Sequence, residues 1–217
     1  MMEVRKGAPS LFKYLKHKHA AALIESGTLQ VGTLYGFQDE ERYGKEIGDK
    51  AEGIRTVYSD EDFDIDHVPE FARGTLVRNP NGFKNIQFRG IEFRLERTSP
   101  NLYIYSTCAA FDRSLLSQLD RDVCVEIHDV HLFFTAVTSH LKNAGIASEL
   151  LHLGPCQYRP RREHHSVETK QHPAIVKAPE YSHQREVRAV WQPLSDHVEP
   201  VLVTVPEVCQ AVKPAVA

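Results

Sequence analysis

"YSHQREVRAVW", Tyr181 to Trp191, sets three long polar side chains at every second position. In a strand, alternate side chains point to opposite faces. A strand through this stretch puts Gln184, Glu186 and Arg188 on one face and Val187, Ala189 and Trp191 on the other. The apolar set calls for a core. The polar set has two readings. It is an exposed sheet face with cross-strand ion pairs worth a few tenths of a kcal/mol, or it is the wall of a cleft. In a cleft, a carboxylate can stabilise a cationic transition state or grip a ribose hydroxyl, and the amide two residues earlier can orient a nucleophile. The pattern alone leaves both open.

The 217 residues suit one domain, and 41% hydrophobic with 25% charged residues is an ordinary globular composition. The formal net charge of -3 argues against a broad nucleic-acid footprint. "MMEVRKGAPSLFKYLK" has no signal-peptide core, and no stretch approaches the roughly 18 apolar residues of a membrane span. Cys108, Cys124, Cys156 and Cys209 form no CxxC pair, and three lie in apolar runs. Buried free thiols and a cytoplasmic location are expected.

"LFKYL" reads as a strand and "HKHAAALIES" as a helix that Gly27 closes, with a second strand at "TLQVGTL". Residues 35–53 read as loop or short helix with turns at Gly44 and Gly48. "RGTLVRNPNGFKNIQFRGIEFRLERT" reads as paired strands about a turn at Asn79 to Gly82. "NLYIYSTCAAF" and "DVCVEI" are strands. "DVHLFFTAVTSHLKNAG" is an amphipathic helix with Asp129 as N-cap, an apolar stripe of Leu132, Phe133, Val137 and Leu141, and Gly145 as its stop. Further strands are expected at "CQYR", "AIVKA", "EVRAVW" and "PVLVTV", and the tail "QAVKPAVA" should fray.

The acidic run "SDEDFDIDH" is not a calcium loop. An EF-hand needs Gly at its sixth and Glu at its twelfth position. Counting from Asp60 gives Ile65 and Phe71, and counting from Asp62 gives His67 and Arg73. Cys124, His128 and His131 lack a fourth ligand, so no metal is expected there. His164 and His165 lie in "RPRREHHSVE", a polar loop or, with Arg159, Arg161 and Arg162, an anion-binding patch. No phosphate-binding glycine loop and no GxSxG elbow is present.

Three segments in order resemble the ADP-ribosyltransferase superfamily: "LFKYL" with a basic residue, "YSTCAAF" with a serine-threonine pair, and "QRE" with a late glutamate. The layout is also similar to a bacterial domain-of-unknown-function family linked to that superfamily, through "LFKYLKHKHAAALIESGTLQVGTL", "IGDKAEG" and "VKAPEYSHQREVRAVW". Two positions depart from the usual pattern. Lys13 stands where Arg is usual, and lysine brings charge without a planar fork. The serine motif reads Ser-Thr-Cys in place of Ser-Thr-Ser.

The resemblance implies a single α+β domain, a split β-sandwich of two facing, mostly antiparallel sheets with peripheral helices. It implies a mono-ADP-ribosyltransferase that uses NAD as substrate and modifies a protein or nucleic-acid acceptor, as a toxin or phage-defence factor. Its alternatives are an NAD glycohydrolase and an inactive nucleotide- or partner-binding module. On this pattern Glu186, Gln184 and Ser106 are catalytic. Glu186 holds the ribose, Ser106 orients Glu186, and Gln184 contacts the acceptor. Lys13, Tyr14, Thr107 and Arg188 bind NAD, with Lys13 on the diphosphate.

Overall fold

A computed structural model describes residues 9–39, 48–64, 87–167 and 171–215. The expected turns at Gly44 and at Asn79 to Gly82 lie outside the described residues. The strands are β1 (Leu11–Leu15), β2 (Thr28–Thr33), β3 (Ile54–Ser59), β4 (Phe63–Asp64), β5 (Gln87–Phe88), β6 (Phe93–Thr98), β7 (Tyr103–Cys108), β8 (Val123–Ile127), β9 (Ala147–Pro155), β10 (Gln157–Tyr158), β11 (Arg162–His164), β12 (Val176–Lys177), β13 (Glu186–Pro193), β14 (Val201–Thr204) and β15 (Val212–Pro214). The helices are α1 (His17–Ser26), α2 (Ser114–Gln118) and α3 (Val130–Asn143). The fold is α+β with mostly antiparallel sheets; only β10–β12 and β3–β11 pair in parallel among the described strands.

The main sheet has eight strands centred on β7. β13 covers one edge of β7 over its whole length, from Glu186 opposite Cys108 to Trp191 opposite Tyr103. A strand has two edges, so β1 and β2 must share the other. β2 pairs there with Tyr103 and Ile104, and β1 pairs with Cys108. Between these contacts the sheet forks, and α1 bridges the two arms.

One face of the sheet carries the main core. Val187, Ala189 and Trp191 of β13 pack with Tyr105, with Phe133, Phe134, Val137 and Leu141 of α3, and with Leu23 of α1. Trp191 is fully buried, and its indole N–H donates to Thr138 Oγ1 at 2.8 Å. Asp129 caps α3 by accepting from the Leu132 N–H at 2.9 Å, and Leu132, Phe133, Val137 and Leu141 all lie on or against the core. The second face carries a smaller cluster of Leu34, Leu102, Ile104, Ala174 and Val190. No helix among the described residues is long and apolar enough to cross a membrane.

Several expectations are corrected. The strand expected at "EVRAVW" is β13, starting at Glu186, but Gln184 does not lie on it: Pro179–Gln184 is a 3-10 turn and Arg185 is left-handed with φ 45°. Pro179 opens that turn, and a proline's fixed φ suits a turn's first position. As far as Pro214 the tail is not frayed as expected, because Pro206–Ala211 forms a 3-10 turn and β15 pairs with β8. The strand pairing expected about Asn79 to Gly82 lies outside the described residues; after it, β5 pairs with β4, and β6 with β3. β9 and α2 had no recognised sequence signal.

Gly27 closes α1 in the left-handed region, with φ 70°. A Cβ there would sit 2.1 Å from the Val205 carbonyl oxygen. Gly27→Ala should therefore cost about 2–4 kcal/mol, from left-handed strain plus a backbone clash. Urea denaturation of parent and variant measures this.

Candidate functional site

A cavity of about 410 Å³ opens at the fork between β1 and β2. That is within the usual range for a small-molecule site. Its lining includes Lys13 and Tyr14 of β1, Ser106 and Thr107 of β7, and Gln184, Glu186 and Arg188. The three segments singled out in the sequence thus border one cavity.

Gln184 and Glu186 converge, though not as neighbours on a strand face. The left-handed Arg185 between them turns the chain, and both side chains reach a residue the sequence reading missed, Lys177. Its ammonium donates to Gln184 Oε1 at 2.8 Å and to Glu186 Oε2 at 2.7 Å. The other Glu186 oxygen accepts from Arg188 Nε at 2.6 Å. Arg188 continues through Nη1 to Glu52 Oε1 at 2.7 Å and to the Ala174 carbonyl at 2.6 Å. Glu52 lies 3.7 Å from Arg161, which also pairs with Asp49.

This polar face is not solvent-exposed. Glu186 is 5% exposed, Arg188 2%, Lys177 3% and Glu52 0%. Burial alone would raise the Glu186 pKa, but the adjacent Arg188 and Lys177 charges outweigh it and hold the carboxyl well below the usual range. Burial likewise works against Arg188, and Glu186 and Glu52 overcome it, so the guanidinium stays charged.

Lys177 and Arg188 hold the Glu186 carboxylate. The Ser106 side chain makes no hydrogen bond to the Glu186 carboxylate, and its register partner is Arg188. The Thr107 hydroxyl donates to the Val187 carbonyl at 3.0 Å. The Tyr14 hydroxyl is committed to the backbone of Asp112, at 3.0 Å to its carbonyl and 2.7 Å from its N–H. Arg188 is buried among carboxylates, so it positions Glu186 and has no hydrogen bond to spare at Nε for a ligand.

Lys13 is different. Its ammonium donates to the Ser106 carbonyl at 2.6 Å and lies 4.3 Å from the Tyr105 ring centroid. The fork explains the first contact, since that carbonyl lies on the stretch of β7 edge without a ladder partner. Burial pulls the Lys13 pKa down to about 8, with Glu186 acting in the opposite sense. An ammonium has three donors, so two remain for a ligand. Burial also pushes the Cys108 thiol up to about 12, which removes it as a nucleophile near neutral pH.

Arg159, Arg161 and Arg162 do not form an anion patch. Each is paired with carboxylate: Arg159 with Glu163 at 3.0 Å, Arg161 with Asp49, and Arg162 with Glu92 at 2.6 Å. Cys124 lies in an apolar cluster with Tyr14, Cys108 and Leu115, and makes no ligand group with His128 and His131.

Comparison of the chain with protein-family models, with curated proteins and with solved structures gives no match in any of the three.

Lys177 could have been suspected from "AIVKA", where a lone lysine interrupts an apolar run and so needs a buried partner. Nothing local marks Glu52. Arg188→Met should leave Glu52 and Glu186 facing each other across a lost cation and cost about 3–5 kcal/mol. Adding Glu52→Gln should recover at least about 1 kcal/mol of that loss, because the remaining Glu186–Lys177 pair is neutral. Chemical denaturation of both singles and the double variant gives the coupling energy.

Proposed function

We propose that the forked cavity binds NAD and that the chain acts as a mono-ADP-ribosyltransferase on a macromolecular acceptor. The observation that carries this reading is the meeting of Lys13, Ser106 and Glu186, from three separate strands, around one cavity. A sheet that parts on one edge of β7 also suits the split sandwich expected of that superfamily. The charge of the lining points the same way. Among the described residues, Lys13, Lys16, Arg121, Lys177 and Arg188 line it with Glu186 as the one carboxylate, which favours an anionic ligand such as a dinucleotide diphosphate.

In this reading Lys13 pairs with the diphosphate near the mouth of the fork. Glu186, ionised and fixed by two cations, keeps a further acceptor position on each oxygen for a ribose hydroxyl. Loss of nicotinamide passes through an oxocarbenium-like state, which a fixed carboxylate favours. Gln184, joined to Glu186 through Lys177, sits where an acceptor would meet the reacting sugar.

A second reading, nucleotide binding without turnover, is favoured by one specific feature. The buried cluster of Glu186, Glu52, Lys177 and Arg188 is neutral as a whole. Two cations beside Glu186 weaken the negative potential it offers a developing cation.

Nicotinamide release and ADP-ribose affinity, measured on the same protein, separate the readings. Transferase or glycohydrolase chemistry predicts release by the parent and a loss of at least about 100-fold in Glu186→Gln, with ADP-ribose affinity changed less than about threefold. Lys177→Met combined with Glu186→Gln keeps the buried charge balanced and controls for folding. Binding without release supports the second reading, and absence of binding refutes both. The pH dependence has a fixed sign. Lys13 is cationic below about 8 and neutral above it, so ADP-ribose affinity should fall between pH 7 and 9. Lys13→Met should bind weakly with a flatter profile.

A further inference from the structure

β3 and β11 run in parallel, with His164 opposite Tyr58. Parallel pairing brings the residues after both strands to the same end, so Asp60 and Glu61 face His164 and His165. The His165 Nε2 lies 3.1 Å from Glu61 Oε2, and His164 Nε2 lies 3.8 Å from Glu61 Oε1 and 3.4 Å from Asp60 Oδ1. The two imidazole rings are 4.5 Å apart. One ligand atom from each of Glu61, His164 and His165 can be chosen so that all lie within 4.8 Å of one another.

Each contact alone is an ordinary surface ion pair of small energy. Their convergence is less ordinary. A proton serves one nitrogen–oxygen contact at a time, whereas a metal ion serves three donors at once. Donors about 2.0–2.2 Å from a tetrahedral zinc ion are roughly 3.3–3.5 Å from each other, and the two histidine–Glu61 contacts, 3.1 and 3.8 Å, bracket that separation. The Ser166 hydroxyl is 2.7 Å from His164 Nδ1. The Ser166 backbone N–H also donates to the same nitrogen at 3.3 Å, so Ser166 fixes the ring with its Nε2 toward the carboxylates. Tyr58 backs the same ring edge-on at 5.3 Å.

We propose that His164, His165 and Glu61 bind a divalent transition-metal ion of the zinc type, with Asp60 adding negative charge beside it. Two imidazoles and a carboxylate suit zinc and its first-row neighbours, and they disfavour magnesium and calcium, which take oxygen ligands. Three protein donors leave room for water at the ion. The site lies at the ends of β3 and β11, on residues that do not line the fork cavity, so it stands whether or not NAD is the ligand there.

Zinc titration of chelator-stripped protein against a chromophoric zinc indicator tests this at pH 7.5. The expected result is one equivalent bound with micromolar or better affinity, and a melting temperature raised by about 5–10 °C at a hundredfold excess over Kd. Glu61→Gln, at a side chain 59% exposed, should fold as the parent does and bind at least tenfold more weakly. His164→Ala with His165→Ala should abolish binding. Millimolar magnesium should not compete. No zinc binding by the parent, or an equivalent that survives the double histidine variant, would overturn the proposal and reduce the cluster to histidine–carboxylate pairs.

Discussion

Arg188 spans Glu52 and Glu186 in a part of the protein almost closed to water. Removing ions from water costs several kcal/mol each, so such a bridge is tolerable only when its hydrogen bonds are met. Arg188 meets this condition through two carboxylates and the Ala174 carbonyl. Closing the network sets the position of three chain segments: residues 48–53, which bring Glu52; residues 173–177, which bring Ala174 and Lys177; and β13. Glu52 approaches Arg161, which Asp49 also holds, while Arg55 is buried against Glu163. The second face of the main sheet is therefore covered in large part by ion pairs, where its first face is covered by aromatic and aliphatic side chains.

The fork in the sheet is a separate constraint, with a direct chemical consequence. β7 cannot accept two full partners on one edge, so β1 and β2 divide it. The unladdered backbone between them needs a donor, and Lys13 supplies one at Ser106. An ammonium held in that way lines the same cavity as the ionised Glu186. A cation and an anion, each held by its own part of the sheet, suit a ligand with a negative diphosphate and a sugar that becomes positive on bond cleavage.

Local pattern carried much of this into the sequence. Helices α1 and α3 were legible from their periodicity and from the cap and stop residues Gly27, Asp129 and Gly145. The burial of Val187, Ala189 and Trp191 followed from period-two alternation. Alternation misplaced Gln184, because nothing in "HQRE" announces that Arg185 adopts a left-handed conformation. It was also silent on what covers the polar face. Glu52 lies 136 residues from Arg188 in the chain, and a pairing over that distance leaves no periodic trace. Ser106 lines the same cavity as Glu186, and the groups that reach the carboxylate are the Lys177 ammonium and the Arg188 guanidinium.

The central claim is that the fork holds a dinucleotide between Lys13 and Glu186. A crystal structure of the protein with ADP-ribose bound tests it most directly. The account predicts density in the fork, with the diphosphate within hydrogen-bonding distance of the Lys13 ammonium and the terminal ribose hydroxyls facing the Glu186 carboxylate. An empty fork at saturating ligand, or ADP-ribose bound on another surface, would contradict it.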